Sequence, residues 1–364
     1  MPRSILAALS GALLANTILA APTASSCTAT SYSQVPAAVA SCTAITLSNI
    51  AVPAGSQLDL TKVKPSTTVT FAGTTTFGFK AWESPLILIG GTDFHITAAP
   101  GAVIDGNGAA WWDGQGDNGV EKPGHFIQVK AAGTQSRIEN LFIKNYPAHG
   151  FTLGGSYLVV KNVTLDNSAG DAPNSLSGGK PAAHNTDGFN VKATNVLLQD
   201  ITVINQDDCV AVSGGAGNVT VRNASCDGSH GLSIGSVGSD TTIKDVFFYD
   251  SRVKNSQNGV RVKTVSGATN SVVQNILFQN ITLSNINKFG IVVEQDYLNG
   301  GPTGTPTNGV KIQDVAFKSV TGTATSKAKN YYILCGSNSC SNITFSNVKV
   351  TGGSGDSCNF GKLC

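Results

Sequence analysis

The sequence predicts an all-β fold, a single-domain parallel β-helix, from three observations. Two short phrases recur in a fixed order, Gly and Asn turns break up strand-forming residues, and no convincing helical period appears. The first phrase is an Asn or Asp followed by three strand formers. It begins at Asn140, Asn162, Asn195, Asn218, Asp245, Asn275, Asp314 and Asn342, at intervals of 22 to 39 residues. The second is a Gly followed by apolar alternation, at Gly150, Gly188, Gly231, Gly259 and Gly290. A coil of this size cannot bury its inner face alone, so the repeats are expected to stack into a solenoid. A propeller would need about 40–45 residues per blade. A sandwich leaves the fixed order of the phrases unexplained.

The chain of 364 residues begins Met1-Pro2-Arg3, followed by an interrupted apolar run to Ala21. This reads as a secretory signal over 1–20, with 21–26 as a short pro-segment and 27–364 as one domain. The run is short for a membrane span, and no later stretch is apolar enough for one. Residues before about Pro65 are expected to cap the open first coil. Only 13% of residues are charged and 41 are Gly, which favours turns over charged helix surfaces. A net charge of +2 gives a nucleic-acid partner no electrostatic support.

Secretion agrees with an even cysteine count. The eight fall into local pairs, expected as Cys27–Cys42, Cys209–Cys226, Cys335–Cys340 and Cys358–Cys364. Sequons stand at Asn162, Asn218, Asn223, Asn280 and Asn342. Several belong to the first phrase, where Asn serves a turn, so one or two glycans are expected rather than five.

Aligning Gly188, Cys209, Gly231 and Gly259 puts Asp187, Asp208, His230 and Asn258 in one column across four coils. Neighbouring parallel strands lie about 4.8 Å apart. Asp207 sits one position earlier. Arg261 and Lys263 share one strand face, with Val260 and Val262 turned inward. Carboxylates this close cannot all ionise freely, so at least one should stay protonated beside ionised partners. A calcium site is the competing use of an acidic cluster. His230, Arg261 and Lys263 oppose it and favour an anionic substrate. Trp111 and Trp112 are expected to cover a coil edge, and His95, His125 and His149 to serve structure. His149 also precedes Gly150, in the coil before Asp187, and His184 lies near Asp187 in sequence.

The four motifs Asn185-Thr186-Asp187, Gln206-Asp207-Asp208-Cys209, Ser229-His230-Gly231 and Arg261-Val262-Lys263 resemble those of polygalacturonases, the pectin-cleaving glycoside hydrolase family 28. Ile104-Asp105-Gly106-Asn107-Gly108 and Gln295-Asp296-Tyr297 extend the likeness over essentially the whole mature chain. The cysteine layout is similar to that of the fungal secreted members. The resemblance implies a right-handed β-helix with an open cleft. It implies a monomer that hydrolyses the α-1,4 bonds of polygalacturonate with inversion, using no metal and no cofactor. It implies Asp207 as general acid, Asp187 and Asp208 activating water, and His230 assisting the acid. Asn185, Arg261, Lys263 and Tyr297 would then bind the sugar, the two cations holding its carboxylate.

One strand spacing between Asp187 and Asp208 is nearer the ~5–5.5 Å of retaining glycosidases than the ~6.5–9.5 Å of inverting ones. Inversion therefore rests on the resemblance. Endo action is expected because no inserted segment obviously blocks one end of a cleft. The alternatives are an exo-polygalacturonase, a rhamnogalacturonan hydrolase, a pectate lyase and a non-catalytic wall-binding β-helix. A hydrolase of this kind should peak at acidic pH.

Overall fold

The structure, a computed structural model, describes residues 25–299 and 301–361. The expected signal, residues 21–24 and Cys364 lie outside the described residues.

Strands pair in parallel with their counterparts one coil further on. Thr194–Ile204 pairs with Gly217–Asp227, which pairs with Thr242–Lys254, then Ser271–Ile286, then Val310–Ala324. The exception among the described residues is a hairpin in which Tyr297 and Leu298 run antiparallel to Pro302 and Gly301. The chain is thus a parallel β-helix.

Both sequence phrases have a steric origin. All eight Asn or Asp residues that open the first phrase have φ between 50° and 62°. This left-handed conformation is one that Asn and Asp tolerate better than most residues. Their side chains also join coils: Asn162 Nδ2 donates to Asn140 Oδ1 at 2.8 Å, and Asn275 Nδ2 to Asp245 Oδ1 at 2.7 Å. The other sequon asparagines, Asn218, Asn223, Asn280 and Asn342, do the same to the coil before. Each therefore has a structural use independent of any glycan. In the second phrase, a Cβ on Gly188 would come within 2.6 Å of the Cys209 carbonyl in the next coil. Only hydrogen fits there.

Each coil buries several apolar residues, and equivalent ones stack from coil to coil. Phe248, Phe278 and Phe317 stack with centroids 4.7 and 5.3 Å apart. Each such pair contributes about 0.5–1.5 kcal/mol beyond the area it buries. Trp111 and Trp112 are buried as expected, with their indole N–H groups donating to the Lys80 and Pro147 carbonyls. Helix Val35–Ser41, with Pro36 in its first turn, buries Val35, Ala38 and Val39 over the first coils.

The expected cap up to Pro65 is too long. Ala44–Ser48 already pairs with Thr68–Ala72, and Leu58–Leu60 with Ile87–Ile89. Ile45, Leu47, Leu58 and Leu60 alternate inward like later coils, but without the recurring Asn and Gly phrases that mark those coils.

Disulfides link Cys27–Cys42, Cys209–Cys226 and Cys335–Cys340. The fourth expected pair involves Cys364, outside the described residues. No helix among the described residues is long and apolar enough to cross a membrane.

Candidate active site

Parallel pairing fixes the register of the polar column. Phe151, Phe189, Val210, Leu232 and Val260 stand opposite one another on successive coils. Two positions earlier on each coil come His149, Asp187, Asp208, His230 and Asn258. The expected column is present, and it is longer than expected. It begins with His149, and His125 faces His149 from the coil before.

The turn carrying the paired acids is held from beneath. Asn205, nearly fully buried, donates through Nδ2 to the carbonyls of Thr186, Asp207 and Asp208 at 2.7, 3.0 and 3.0 Å. The Tyr146 hydroxyl donates to the Thr186 carbonyl at 3.1 Å. Gln206 Oε1 accepts from Thr186 Oγ1 at 2.8 Å. Three backbone carbonyls are thereby satisfied away from water, and the acids are left facing outward.

Each carboxylate has its own basic partner. Asp208 accepts from Arg261 Nη2 at 2.5 Å and from Lys263 Nζ at 2.9 Å, with Ser233 Oγ adding a bond at 2.8 Å. Asp207 Oδ1 lies 3.0 Å from His230 Nδ1, and its Oδ2 accepts from Asn185 Nδ2 at 3.2 Å. Asp187 Oδ1 lies 3.1 Å from His149 Nδ1. Oxygens of the three acids come within 4.8 Å of one another.

Burial acts against ionisation of all three, and the partners decide the outcome. For Asp207 burial pushes the pKa up, but the His230 hydrogen bond and charge, then Lys263 and Arg261, pull it well below the usual range. For Asp208 burial is outweighed by Arg261 and Lys263. Asp187 ends raised, by burial first and the Asp207 charge second, with His149 opposing. Burial and neighbouring charges thus spread the three acids apart, Asp207 and Asp208 below the usual carboxylate range and Asp187 above it.

All eight residues expected to catalyse or bind line one cleft of about 590 Å³. Tyr297 is half-buried, with its ring centre 5.0 Å from Lys263 Nζ. It starts the hairpin to Pro302, which Asp296 pins by accepting from the Gly304 N–H at 2.6 Å. Sequence reasoning missed several lining residues. His125 and His149, expected to serve structure, line the cleft, as do Lys192, Lys288 and Glu294. Glu294 pairs in register with Lys263, and its buried Oε2 has no hydrogen-bond partner among the described residues. His184 is exposed and is not among the lining residues. His95 bonds Glu139 at 2.7 Å, well away from the column.

Comparison with known proteins identifies the family. The chain is 56% identical over 340 residues to a probable endopolygalacturonase D of Neosartorya fischeri, covering 92% of this chain and 71% of that protein. It is 50% identical over 357 residues to endopolygalacturonase B of Aspergillus niger, covering 97% and 94%. Endopolygalacturonase I from Stereum purpureum, solved in complex with two galacturonates, superposes with a TM-score of 0.81 at 33% identity, over 92% of this chain and 96% of that one. Residues 42–362 match the model of glycosyl hydrolases family 28, and the chain belongs to that family.

Proposed function

We propose that this protein is a secreted, endo-acting polygalacturonase that hydrolyses α-1,4-galacturonosyl bonds by single displacement with inversion. One observation carries the reading: in a single cleft, three carboxylates stand together, each held by a basic side chain of its own. Its relatives' names support the substrate, as does the galacturonate-bound structure from Stereum purpureum. Three disulfides suit an oxidising compartment.

Arg261 and Lys263 receive the galacturonate carboxylate, Arg261 offering a planar fork and Lys263 a point charge. Tyr297 flanks the same sugar. Asp207 donates the proton to the leaving oxygen, and Asp187 and Asp208 orient and deprotonate the attacking water. The low proton affinity of Asp207 in the free enzyme is part of this scheme. It owes that state partly to Lys263 and Arg261. A substrate carboxylate seated on those cations offsets their field, so the proton in the Asp207–His230 hydrogen bond moves towards Asp207 as the sugar binds. Inversion rests on the family, because these acids stand closer than the separation usual for inverting enzymes.

The test follows reducing ends and viscosity together on polygalacturonate, with chelator present. Early thinning at few new ends supports the reading. New ends without thinning mean exo action, and an ultraviolet-absorbing product end means a lyase.

A further inference from the structure

We propose that His149 is a positioning residue that holds Asp187 as a carboxylate for water activation, and so sets the acidic limb of the enzyme's pH dependence. This rests on the reading of Asp187 as a water-activating base.

The argument starts from the symmetry of the site. Asp207 has His230 and Asp208 has Arg261 with Lys263, both in coils that follow the acid. Asp187 has no cation of that kind. Its partner comes from the coil before, where His149 occupies the same column position. Nδ1 of His149 lies 3.1 Å from Asp187 Oδ1, and Nε2 lies 3.8 Å from Asp117 Oδ2. A charged imidazolium aims one N–H at each acid. Asn190 Nδ2 lies 3.0 Å from Nδ1; beside a charged ring the carboxamide is turned end for end so that its oxygen accepts, the two ends being nearly alike in shape.

The surroundings of His149 favour the charged ring. Asp187 and Asn190 face it from the next coil, His125 from the coil before with ring centres 5.4 Å apart, and Asp117 from the loop above the cleft. Lys192 lines the cleft one coil on, and Asp207 lies beyond Asp187. Burial works against the charge on His149, but Asp187 and Asp117 prevail and raise its pKa to about 10. His125 goes the other way, to about 4, through burial and then the charge on His149. One histidine of the facing pair is therefore a fixed cation and the other is neutral above about pH 4. The loop supports the arrangement: Asn185 Oδ1 accepts from the Asp117 N–H at 3.1 Å, and a Lys122–Asp113 ion pair at 3.0 Å buries the loop's base.

The experiment compares kcat/KM against pH for the wild type, His149→Gln and His149→Arg. Gln keeps a hydrogen-bond donor and removes the charge, so the acidic limb should move up by about one pH unit. Activity below that limb should fall about tenfold, and the alkaline limb should stay in place. Arg restores the cation and should bring the limb back. A uniform loss at every pH with an unmoved limb overturns the proposal and leaves His149 a packing residue. Should the Gln variant fail to fold, the wild-type ring is followed by histidine NMR. An imidazolium at pH 8 supports the proposal and a neutral ring overturns it. Asp187→Asn separates the two readings: retained activity removes the base assignment and this inference with it. An inactive Asp187→Asn beside an unmoved limb in His149→Gln removes the inference alone.

Discussion

Lys263 and Asp208 stand 55 residues apart in sequence, and the ammonium of one donates to the carboxylate of the other at 2.9 Å. In the proposed scheme the substrate-binding cation and a water-orienting acid are therefore one hydrogen-bonded unit. Sequence reasoning alone assigns Lys263 to binding, so that its loss should mainly raise KM. The geometry changes that expectation. Removing Lys263 also leaves Asp208, buried at 2% exposure, with Arg261 as its remaining cation. Lys263→Ala should raise KM and lower kcat together, with kcat/KM falling about a hundredfold or more. Steady-state kinetics on polygalacturonate check this, and a pure KM effect would show that the pair is energetically uncoupled.

Asp207→Asn should remove most turnover, about 10²–10⁴-fold, the usual contribution of a general acid. Binding of oligogalacturonate should persist, because Arg261 and Lys263 are untouched. Calorimetric titration beside reducing-end release makes the separation visible.

Substrate should raise the proton affinity of Asp207 by offsetting the charges on Arg261 and Lys263 that hold it down. The alkaline limb of kcat reports the bound enzyme and that of kcat/KM the free one. The limb for kcat should therefore lie at higher pH. Coincident limbs would falsify the substrate-driven transfer. For the same reason, heavily methyl-esterified pectin should be a poor substrate.

His149 also makes stability depend on pH. Its folded pKa is raised from 6.5 to about 10, so its contribution is complete below the unfolded value and is lost as pH rises through the folded one. The melting-temperature deficit of His149→Gln should be constant below about pH 6.5 and shrink between there and pH 10. A deficit that grows over that range would contradict a charged ring.

Asn205→Ala should destabilise the fold by about 1–2 kcal/mol, since it removes a buried carboxamide shared by three carbonyls, each of which keeps one other donor, from Tyr146, His230 or Gly188. It should also lower kcat, because the Asp207–Asp208 turn loses its anchor. Urea unfolding and kinetics on one preparation test both parts.

The column of Asp187, Asp208, His230 and Asn258 was legible because each residue directly precedes a small residue and an alternating strand, and parallel pairing preserves that spacing from coil to coil. The pairing of Asp207 with His230 was not fixed by register, since Asp207 lies one step off the column. His149 carried the same signal, a polar residue before Gly150, but without a neighbouring acid in sequence it read as structural. Glu294 could not be placed from sequence. It sits beside the Gln-Asp-Tyr motif that drew attention to Tyr297, and the register shifts between Lys263 and Val265. The first coils were read as a cap because two strands of alternation are too little to declare a repeat.

The stacked architecture also makes separation between functional groups an inheritable, quantised variable. Every coil advances the chain by one strand spacing, about 4.8 Å, and each acid belongs to a different coil or to its mouth. Duplicating one coil between Phe189–Val191 and Val210–Val212 would preserve parallel pairing on both sides while moving Asp187 one full step from Asp208. A change in coil number would thus shift the reaction geometry in whole strand spacings, with one new interface to pack, that between the added coil and its copy.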